Sequence, residues 1–265
     1  MSSPNEVIKS LHSSHIARVK ALHASKGRKA AKQFIAEGPA AVEAALTSKR
    51  FSIVNLYVTE HGADLLPKSA ESAQSILAKA IYLSERVMAS ISTVETAQGV
   101  LAICSSEEKL NEEEIYKKNA LPLIYCFEVN DPGNLGTIIR TADALGAAGV
   151  LLSPGSADPF SPKVVRATAG SLWHLPLLRE VDIVSAIEQS RAHGRNIYAT
   201  HGQGAKTLPA VSGRDALWIF GNEARGLTSE ITTLADEVVS IPMRGRAESL
   251  NLATAVAITL FHANS

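Results

Sequence analysis

Three segments combine glycine with polar side chains directly after an apolar run, a pattern typical of ligand-binding loops in α/β sheets. The first, residues 130–140, reads NDPGNLGTIIR. Its two glycines allow a tight turn and a close approach of the backbone to a ligand. Asn134 supplies an amide that donates and accepts, and Arg140 lies on a different helix face from the apolar Ile139. An ordinary Pro-Gly turn with an asparagine cap and a surface arginine is the alternative interpretation.

The second and third segments follow two later apolar runs. IFGNEARGL places Gly221 where a ligand could approach the backbone, and Glu223 at a strand end where a buried or paired acid has a use. IPMRGRAESLN joins the last predicted strand to the last predicted helix, and Ser249 and Asn251 lie at the start of that helix. Ser249 is the predicted N-cap, which would satisfy a free backbone N–H. A glycine-rich turn with solvated charges and a plain helix cap are the alternatives.

The elements that must position these residues alternate between strand and helix over the second half of the chain. The predicted strands are 121–129, GVLLSP, 196–200, 216–221 and 237–243, and the predicted helices are 134–145, KVVRATAG, DIVSAIEQSRAHG and 250–263. The continuous apolar run LPLIYCFEV is typical of a buried parallel strand. The alternation predicts an α/β domain with a mostly parallel sheet, which binds ligands at the carboxyl ends of its strands.

The first half of the chain shows a shorter alternation of the same kind. A helix is predicted for 4–24, strands for FIAEGP, 53–59 and 99–105, helices for AAVEAALTS and 84–91, and a short helix and strand near 70–83. This pattern predicts a smaller α/β domain over residues 1–105. Residues 106–119, SSEEKLNEEEIYKK, are strongly charged and show no apolar face. They are predicted to form a linker or a solvated helix before a second domain at 120–265.

The composition is that of a globular protein without a membrane segment. The 265 residues are 46% hydrophobic and 20% charged, and acidic and basic residues are equal in number. No apolar run approaches the roughly 18 residues of a membrane-spanning helix, and no secretory signal is recognised. The two cysteines lie in apolar runs, so they are predicted to be small buried hydrophobic residues, with no disulfide and no metal site. A cytoplasmic location is expected.

The first 35 residues are basic, with seven lysines and arginines against one glutamate. A local basic patch is the electrostatic feature expected of a nucleic-acid-binding surface. A solvated basic helix or a flexible tail would give the same composition. The segment also contains serine and is poor in acids, so a mitochondrial transit peptide is a further alternative.

Taken in order, the three polar segments resemble the three signature motifs of the SpoU/TrmH family of RNA 2′-O-ribose methyltransferases. The resemblance rests on DPGNLGTIIRTADALGA, FGNEARGL and IPMRGRAESLNLATAVAITLF, and it covers residues 120–262. RVKALHASKGRKAAKQFIAEGPAAVEAAL and ISTVETAQGVLAI resemble the family's N-terminal substrate-binding domain, which is similar to small RNA-binding ribosomal proteins. DPFSPKVVRATAGSLWHLP resembles family members that act on large-subunit ribosomal RNA.

The resemblance implies a fold, a reaction and a set of partners. It implies a deep trefoil knot in the C-terminal domain, S-adenosylmethionine as the cofactor, a homodimer, and methyl transfer to a ribose 2′-OH of large-subunit (23S-type) ribosomal RNA. In the N-terminal domain, Lys20, Lys26, Arg28 and Lys29 become candidates for contacts with the RNA backbone. Such contacts position RNA without reading its sequence.

Residues of the three motifs match the family's functional positions. Gly221, Ile241 and Leu250 match positions that contact the cofactor, chiefly through backbone groups. Further candidates for the cofactor site are Thr200, Gly202 and Met243. The family's polar active-site positions are matched by Asn134, Arg140, Glu223, Ser249 and Asn251.

The resemblance also suggests a role for each polar residue. The motif arginine is the family's candidate for activating the hydroxyl, although a guanidinium rarely gives up its proton. Arg140 is therefore expected to hold the phosphate of the target nucleotide or to stabilise developing alkoxide charge, and a transient base role stays open. Glu223 is expected to hold Arg140 or the cofactor in place. Ser249 and Asn251 are expected to orient the ribose.

Other classes of protein share part of this pattern. A dinucleotide-dependent oxidoreductase is disfavoured because no GxGxxG follows a predicted strand. A P-loop NTPase is disfavoured because HGQGAKT lacks the full GxxxxGK[ST] motif. A tRNA 2′-O-methyltransferase and a non-catalytic RNA-binding or ribosome-assembly protein on the same fold stay open. Cofactor binding would separate an enzyme from the last of these.

Overall fold

The computed structural model of the chain describes residues 7–66, 71–108, 112–118 and 120–265, with the backbone alone for 71–73. In chain order its helices are α1 (Ser14–His23), α2 (Ser25–Ala31), α3 (Pro39–Thr47), α4 (Glu60–Asp64), α5 (Glu71–Leu77), α6 (Glu85–Ile91), α7 (Glu113–Lys117), α8 (Pro132–Ala144), α9 (Pro162–Ala167), α10 (Ile183–Ala192), α11 (Ser229–Thr232) and α12 (Leu252–Ala263). Its strands are β1 (Gln33–Glu37), β2 (Ile53–Val58), β3 (Ile81–Tyr82), β4 (Val100–Ser105), β5 (Leu123–Cys126), β6 (Gly149–Leu152), β7 (Leu177–Leu178), β8 (Asn196–Thr200), β9 (Lys206–Thr207), β10 (Ala216–Phe220) and β11 (Glu237–Ser240).

The described residues form two compact units, each with its own sheet. The first unit runs to residue 108 and also contains residues 158–174. The second runs from residue 112 to the C-terminus without that segment. Residues 158–174 fall within the C-terminal domain that the sequence predicts, and the predicted domain limits stay a prediction.

The first unit is a four-stranded sheet with an apolar core on each face. Its strand order is β1-β4-β2-β3; β4 is antiparallel to both neighbours, and β3 is parallel to β2. Alternate side chains of a strand point to opposite faces, so Phe34 enters one core and Ile35 the other. The Phe160 ring stacks on the Phe34 ring with centroids 4.6 Å apart, and Trp173 joins the same core. These contacts explain why residues 158–174 belong to the first unit.

The helix predicted for residues 4–24 begins later than expected. Residues 4–6 lie outside the described part of the chain. Residues 7–13 are not helical, so the prediction is wrong for residues 7–13. Ser13 caps α1 by accepting a hydrogen bond from the N–H of His15. Upstream, the N–H of Ile8 donates to the carbonyl of Tyr82 at 2.9 Å. The backbone of this apolar stretch thus pairs beside β3 instead of continuing the helix.

The predicted linker contains a helix that packs into the second unit. Residues 109–111 and 119 lie outside the described part, whereas α7 is described. Ile115 and Tyr116 of α7 are buried in the core of the second unit, so the expectation of no apolar face is wrong. The buried guanidinium of Arg195 donates to the carbonyls of Ile115, Tyr116, Lys118 and Leu121. Two apolar side chains and one arginine fix this otherwise charged segment.

The second unit is a seven-stranded sheet in the order β7-β6-β5-β10-β8-β11-β9. All of its paired strands are parallel, which confirms the predicted α/β fold with a parallel sheet. β5 leads outward to β6 and β7 on one side and borders β10 on the other, so the strand order reverses between β5 and β10. Open parallel sheets bind ligands outside the carboxyl ends of the strands at such a reversal. The trefoil knot stays a prediction.

The two cysteines confirm their predicted role as small buried hydrophobic residues. Cys104 lies in β4 and Cys126 ends β5, and both are buried free thiols. Burial raises the pKa of each thiol to about 12, so neither is a thiolate at neutral pH. Within the described residues, no helix is both long and apolar enough to span a membrane.

Candidate active site

A groove lies at the carboxyl ends of β8, β10 and β11, and two adjoining cavities form it. The larger, of about 680 Å³, is lined by residues 200–203, 220–226 and 249–252 with Asn134 and Ala255. The smaller, of about 160 Å³, is lined by residues 200–202 and 248–250 with Val239, Ile241, Met243 and Ala255. Because the cavities share residues 200–202, 249 and 250, they form one continuous groove. All of its walls belong to the second unit.

A chain of three polar side chains crosses the larger cavity. The Asn251 amide Nδ2 donates to Asn134 Oδ1 at 2.9 Å, and Asn134 Nδ2 donates to Glu223 Oε1 at 3.1 Å. The same carboxylate accepts from the backbone N–H groups of Asn130 and Asp131 at 3.2 and 3.1 Å. The chain therefore ties together the loops after β5 and β10 and the start of α12. Three separate sequence motifs meet at one point.

The hydrogen bonds to Glu223 keep its carboxylate ionised. Partial burial alone would raise the pKa of Glu223. Hydrogen bonds from its own backbone, from Asn134 and from the backbones of Asp131 and Asn130 lower the pKa by more than burial raises it. The net pKa lies below the ordinary glutamate value. A carboxylate that accepts this many hydrogen bonds is a poor proton acceptor near neutral pH. Glu223 is therefore a positioning group, and it holds Asn134 and not Arg140.

Asn251, and not Ser249, caps the last helix. The Asn251 Oδ1 accepts from the N–H groups of Ala253 and Thr254 at 2.9 and 3.3 Å. The predicted N-cap at Ser249 is wrong, because α12 begins at Leu252, three residues later. Ser249 is exposed and lines both cavities. Among the described residues its hydroxyl has no hydrogen-bond partner, so it is available to a ligand.

Glycine shapes the groove in two ways. At Gly202 a Cβ would meet nothing within 4 Å, so the backbone there borders open space. At Gly221 a Cβ would come within 2.3 Å of the Gly226 carbonyl carbon. Gly221 thus allows the loop at 222–226 to fold back against the end of β10, besides lining the groove. The walls leave room for a ligand that approaches the backbone at residues 200–202.

The structure brings the predicted cofactor residues together and most of the catalytic ones. All six cofactor candidates line the groove: Thr200, Gly202, Gly221, Ile241, Met243 and Leu250. Four catalytic candidates also line it: Asn134, Glu223, Ser249 and Asn251. Arg140 does not line either cavity. Six residues along a helix are about 9 Å of axis and about 240° of rotation, so Arg140 points away from Asn134. Arg140 is exposed, and no residue in the described ranges pairs with it.

One of the four predicted RNA contacts is a structural residue. Lys20, Lys26 and Lys29 are exposed, but Arg28 is only 6% exposed. The Arg28 guanidinium forms an ion pair with Asp158 at 2.7 Å and donates to two backbone carbonyls at the end of α1. The prediction for Arg28 is wrong, because its donors are already used inside the first unit. The three lysines stay candidates.

Arg18 is a further RNA-contact candidate, which the sequence indicated only as one of the seven basic residues of the N-terminal segment. It is exposed, and its guanidinium donates to Asn55 Oδ1 and Gln33 Oε1, both at 3.0 Å. Both acceptors are neutral, so the charge is oriented without being compensated. A fixed, uncompensated guanidinium suits a phosphate. Its partners lie in β1 and β2, far from it in sequence, which is why a linear pattern does not reveal it.

The groove lies in a domain that matches a known protein family. The model of the SpoU rRNA Methylase family matches residues 122–261, more than half of the chain. The chain belongs to the SpoU family. The MRM3-like substrate binding domain matches residues 13–102, which confirms the predicted substrate-binding domain.

Relatives of this SpoU family member match it over nearly its whole length. The 23S rRNA (guanosine(2553)-2′-O)-methyltransferase RlmP of Bacillus subtilis is 35% identical and covers 92% of this chain and 93% of its own. An AdoMet-bound rRNA methyltransferase from Sinorhizobium meliloti superposes with a TM-score of 0.83 at 32% identity, covering 97% of both chains. The SpoU methyltransferase AviRb from Streptomyces viridochromogenes, in complex with the cofactor AdoMet, superposes with a TM-score of 0.81 at 26% identity, covering 96% of this chain and 97% of its own.

Two groove residues of this SpoU protein were not selected from the sequence. His201 directly follows β8 and lines both cavities, and Arg225 lies in the loop after β10 and lines the larger one. Their position in loops that follow apolar strands was an available signal, since the same criterion indicated Gly221 and Glu223. Their side-chain orientation depends on loop geometry, which the sequence pattern does not provide.

Proposed function

We propose that this protein transfers a methyl group from S-adenosylmethionine to a ribose 2′-OH of large-subunit ribosomal RNA. The observation that carries the proposal is the Asn251–Asn134–Glu223 chain, which stands in a groove at the strand ends of a SpoU-family domain. The names of the relatives support the reaction and the RNA, because RlmP is a 23S rRNA 2′-O-methyltransferase. The substrate-binding domain supports RNA as the partner.

The groove fits an S-adenosylmethionine-sized ligand. Its larger cavity of about 680 Å³ lies within the range of small-molecule sites, and Gly202 leaves open space beside the backbone. The residues that would hold the cofactor are Thr200, Gly202, Gly221, Ile241, Met243 and Leu250. When bound, S-adenosylmethionine would supply a methyl group attached to a sulfonium sulfur, which is a good leaving group. The protein must therefore mainly position the nucleophile.

The polar residues of the groove are suited to hold a ribose. Asn251 uses one Nδ2 hydrogen for Asn134, which leaves its second hydrogen available. The Ser249 hydroxyl has no partner among the described side chains and can donate to or accept from a sugar hydroxyl. Glu223 fixes Asn134 and, through it, the orientation of Asn251. Arg140 stays the candidate for holding a phosphate or stabilising developing negative charge.

The proposal includes a homodimer and a cytoplasmic location. α12 exposes two large apolar side chains, Phe261 at 68% and Ile258 at 38%. They are three residues apart, so they lie on one face of the helix. A second copy of the chain would cover this face, in line with the homodimer that the family resemblance implies. The cytoplasmic location stays a prediction.

Transfer of labelled methyl from S-adenosylmethionine to total bacterial RNA tests the proposed function. A 2′-O-methyl group blocks alkaline cleavage, so the label should appear in an alkali-resistant dinucleotide from large-subunit ribosomal RNA. Arg140→Ala should lose this incorporation. Arg191→Ala is the matched control, because Arg191 is an exposed arginine of the same unit outside the groove.

Three other results would contradict parts of the proposal. Alkali-labile label would indicate base methylation. Label confined to transfer RNA would support the transfer-RNA alternative. If neither naked RNA nor assembled and partly assembled ribosomal subunits took up label, the non-catalytic RNA-binding alternative would be favoured.

A further inference from the structure

Arg225 is the one lysine or arginine among the described residues that line the groove. Its side chain is 71% exposed, so the guanidinium is accessible from solvent. The other carboxylates of the groove are Glu223, which already accepts three hydrogen bonds, and Glu248, which lines the smaller cavity. A polyanion such as RNA that enters the groove meets one fixed cation, and it is Arg225.

The backbone at Arg225 is held rigidly. The Asn222 side-chain Oδ1 accepts from the N–H groups of Ala224 and Arg225 at 3.0 and 3.1 Å. The backbones of Asn222 and Gly226 exchange two hydrogen bonds of 3.2 and 2.8 Å, which close the loop. Gly226 adopts a positive φ of 65°, which glycine allows without strain. These bonds hold the backbone from which the Arg225 side chain projects.

The guanidinium itself is held by Glu128, which follows β5. Arg225 Nη2 donates to the Glu128 carboxylate. Glu128 is not a glycine, yet its φ is 49°, in the left-handed region that is costly for such residues. Its N–H donates to Ser153 Oγ and its carbonyl accepts from Asn222 Nδ2, both at 2.8 Å. Three contacts keep a strained residue at the edge of the groove.

Stability does not account for this arrangement. An exposed ion pair contributes little to the free energy of folding, and a left-handed glutamate costs free energy. Strained residues that are fixed on several sides cluster at binding sites. Glu128 also engages only one nitrogen of the guanidinium, so the remaining donors of Arg225 are available to a second anion.

We propose that Arg225, positioned by Glu128, binds a backbone phosphate next to the target nucleotide of the RNA. This rests on the proposed function, since it places the target ribose in the same groove. Arginine suits the task because its planar fork binds a carboxylate with one edge and a phosphate with another. Glu128 is a positioning residue in this scheme, and Arg225 makes the contact with RNA.

Substitution of Arg225 tests the phosphate contact. Arg225→Gln should raise the KM for deproteinised large-subunit ribosomal RNA about tenfold, since one charge-assisted contact is lost. The kcat and the Kd for S-adenosylmethionine should change little. In direct binding to the same RNA, the negative slope of log affinity against log salt should become shallower by about 0.7 to 0.9, the contribution of one phosphate contact. Arg225→Lys should restore the wild-type slope, but its KM should lie between those of wild type and Arg225→Gln.

Arg191→Gln is the matched control for Arg225→Gln. Arg191 also forms an exposed pair with a carboxylate of the second unit, Asp236, and it lies outside the groove. It should leave the KM and the salt slope unchanged. If Arg225→Gln behaves like Arg191→Gln, the proposal is overturned. Loss of cofactor binding together with RNA binding would also overturn it, because it would indicate a collapsed loop.

Glu128→Gly separates a positioning role from a structural one. Glycine relieves the left-handed strain, so the melting temperature should stay or rise, while the KM for RNA should rise several-fold. A residue kept only for stability would show a lower melting temperature and an unchanged KM, and that result would overturn its positioning role. The salt-slope experiment uses binding alone, so it reads the Arg225 contact even if wild-type protein transfers no methyl group. That failure would instead contradict the proposed function.

Discussion

Glu223 shows how the groove uses a carboxylate without using its basicity. The side chain accepts from two backbone N–H groups after β5 and from Asn134. It therefore connects the loops on the two sides of the strand-order reversal. The sequence placed Glu223 among the candidate site residues, with Arg140 or the cofactor as its expected partner, and in the structure Glu223 lines the groove. Its observed partners, Asn134 and the backbone N–H groups of the loop after β5, lie 89 to 93 residues away in the sequence, so a linear pattern does not reveal them.

Glu223→Gln should slow methyl transfer about 10²-fold, because Asn134 and Asn251 lose their fixed geometry. It should also change the dependence of stability on pH. The folded-state pKa of Glu223 is lowered, so its stabilisation is present above the ordinary value of about 4.3 and is lost as the pH falls through the folded-state pKa. The difference in melting temperature between wild type and variant should therefore shrink below about pH 4.

Thermal unfolding between pH 7 and pH 3 measures this difference. Glu230→Gln, in the exposed first turn of α11, is the control and should give a much smaller difference at neutral pH. A difference for Glu223→Gln that stayed constant down to pH 3 would show that its hydrogen bonds do not depend on ionisation.

At the scale of secondary structure, the two helices beside the groove begin with residues that serve both the helix and the site. Asp131 caps α8 by accepting from the Asn134 N–H at 2.7 Å, which fixes the backbone of a groove residue. Asn251 caps α12 and binds Asn134 with the other end of its amide. Helix capping thus sets the backbone position of Asn134 and the direction of the Asn251 amide. The sequence placed both helix starts within a few residues, but capping geometry alone selected Asn251 over Ser249.

Asn251→Ala and Ser249→Ala should separate stability from activity. Loss of the N-cap in Asn251→Ala should lower the free energy of unfolding by about 1 kcal/mol. Ser249→Ala should change it by no more than about 0.5 kcal/mol, because an exposed hydroxyl without a partner is removed. Both variants should lower methyl transfer. Chemical denaturation and a methyl-transfer assay measure the two effects, and equal destabilisation by both would contradict the observed cap.

α7 depends on one buried guanidinium from another element. Arg195 donates to four carbonyls in and just after this helix, and desolvation lowers its pKa to about 10, so it remains protonated at neutral pH. Arg195→Met should lower the free energy of unfolding by about 3 kcal/mol, because it leaves buried carbonyls without donors. Arg191→Met, at an exposed position, should cost no more than about 0.5 kcal/mol. Hydrogen exchange should show faster exchange at residues 113–118 in Arg195→Met, and unchanged exchange there would contradict the anchoring role.

For the whole molecule, the sequence predicts what local patterns determine and misses what distant contacts determine. Apolar runs and helical periodicity placed most helices and all strands except the two-residue strands β7 and β9, because side-chain period is a local property. The burial of Arg28 depends on Asp158, 130 residues away, and the position of residues 158–174 depends on Phe160 stacking against Phe34. The groove itself was predictable as three loops at strand ends. The bonding within it was not, since Asn134 and Glu223 are 89 residues apart.

The assembly of the whole molecule can be tested at the exposed face of α12. Phe261 is 68% exposed, although the opposite face of the helix is buried, and an apolar side chain so exposed is a candidate interface residue. In a twofold dimer each substitution acts twice. Burial of a phenylalanine contributes about 2 kcal/mol, so Phe261→Lys should weaken dimerisation roughly 10³-fold.

Val184→Lys, at a 46% exposed apolar position on α10, is the control and should leave the dimer intact. Sedimentation equilibrium should show a dimer for wild type and the control and a folded monomer for Phe261→Lys. A dimeric Phe261→Lys variant would place the interface elsewhere, and a monomeric wild type would contradict the proposed homodimer.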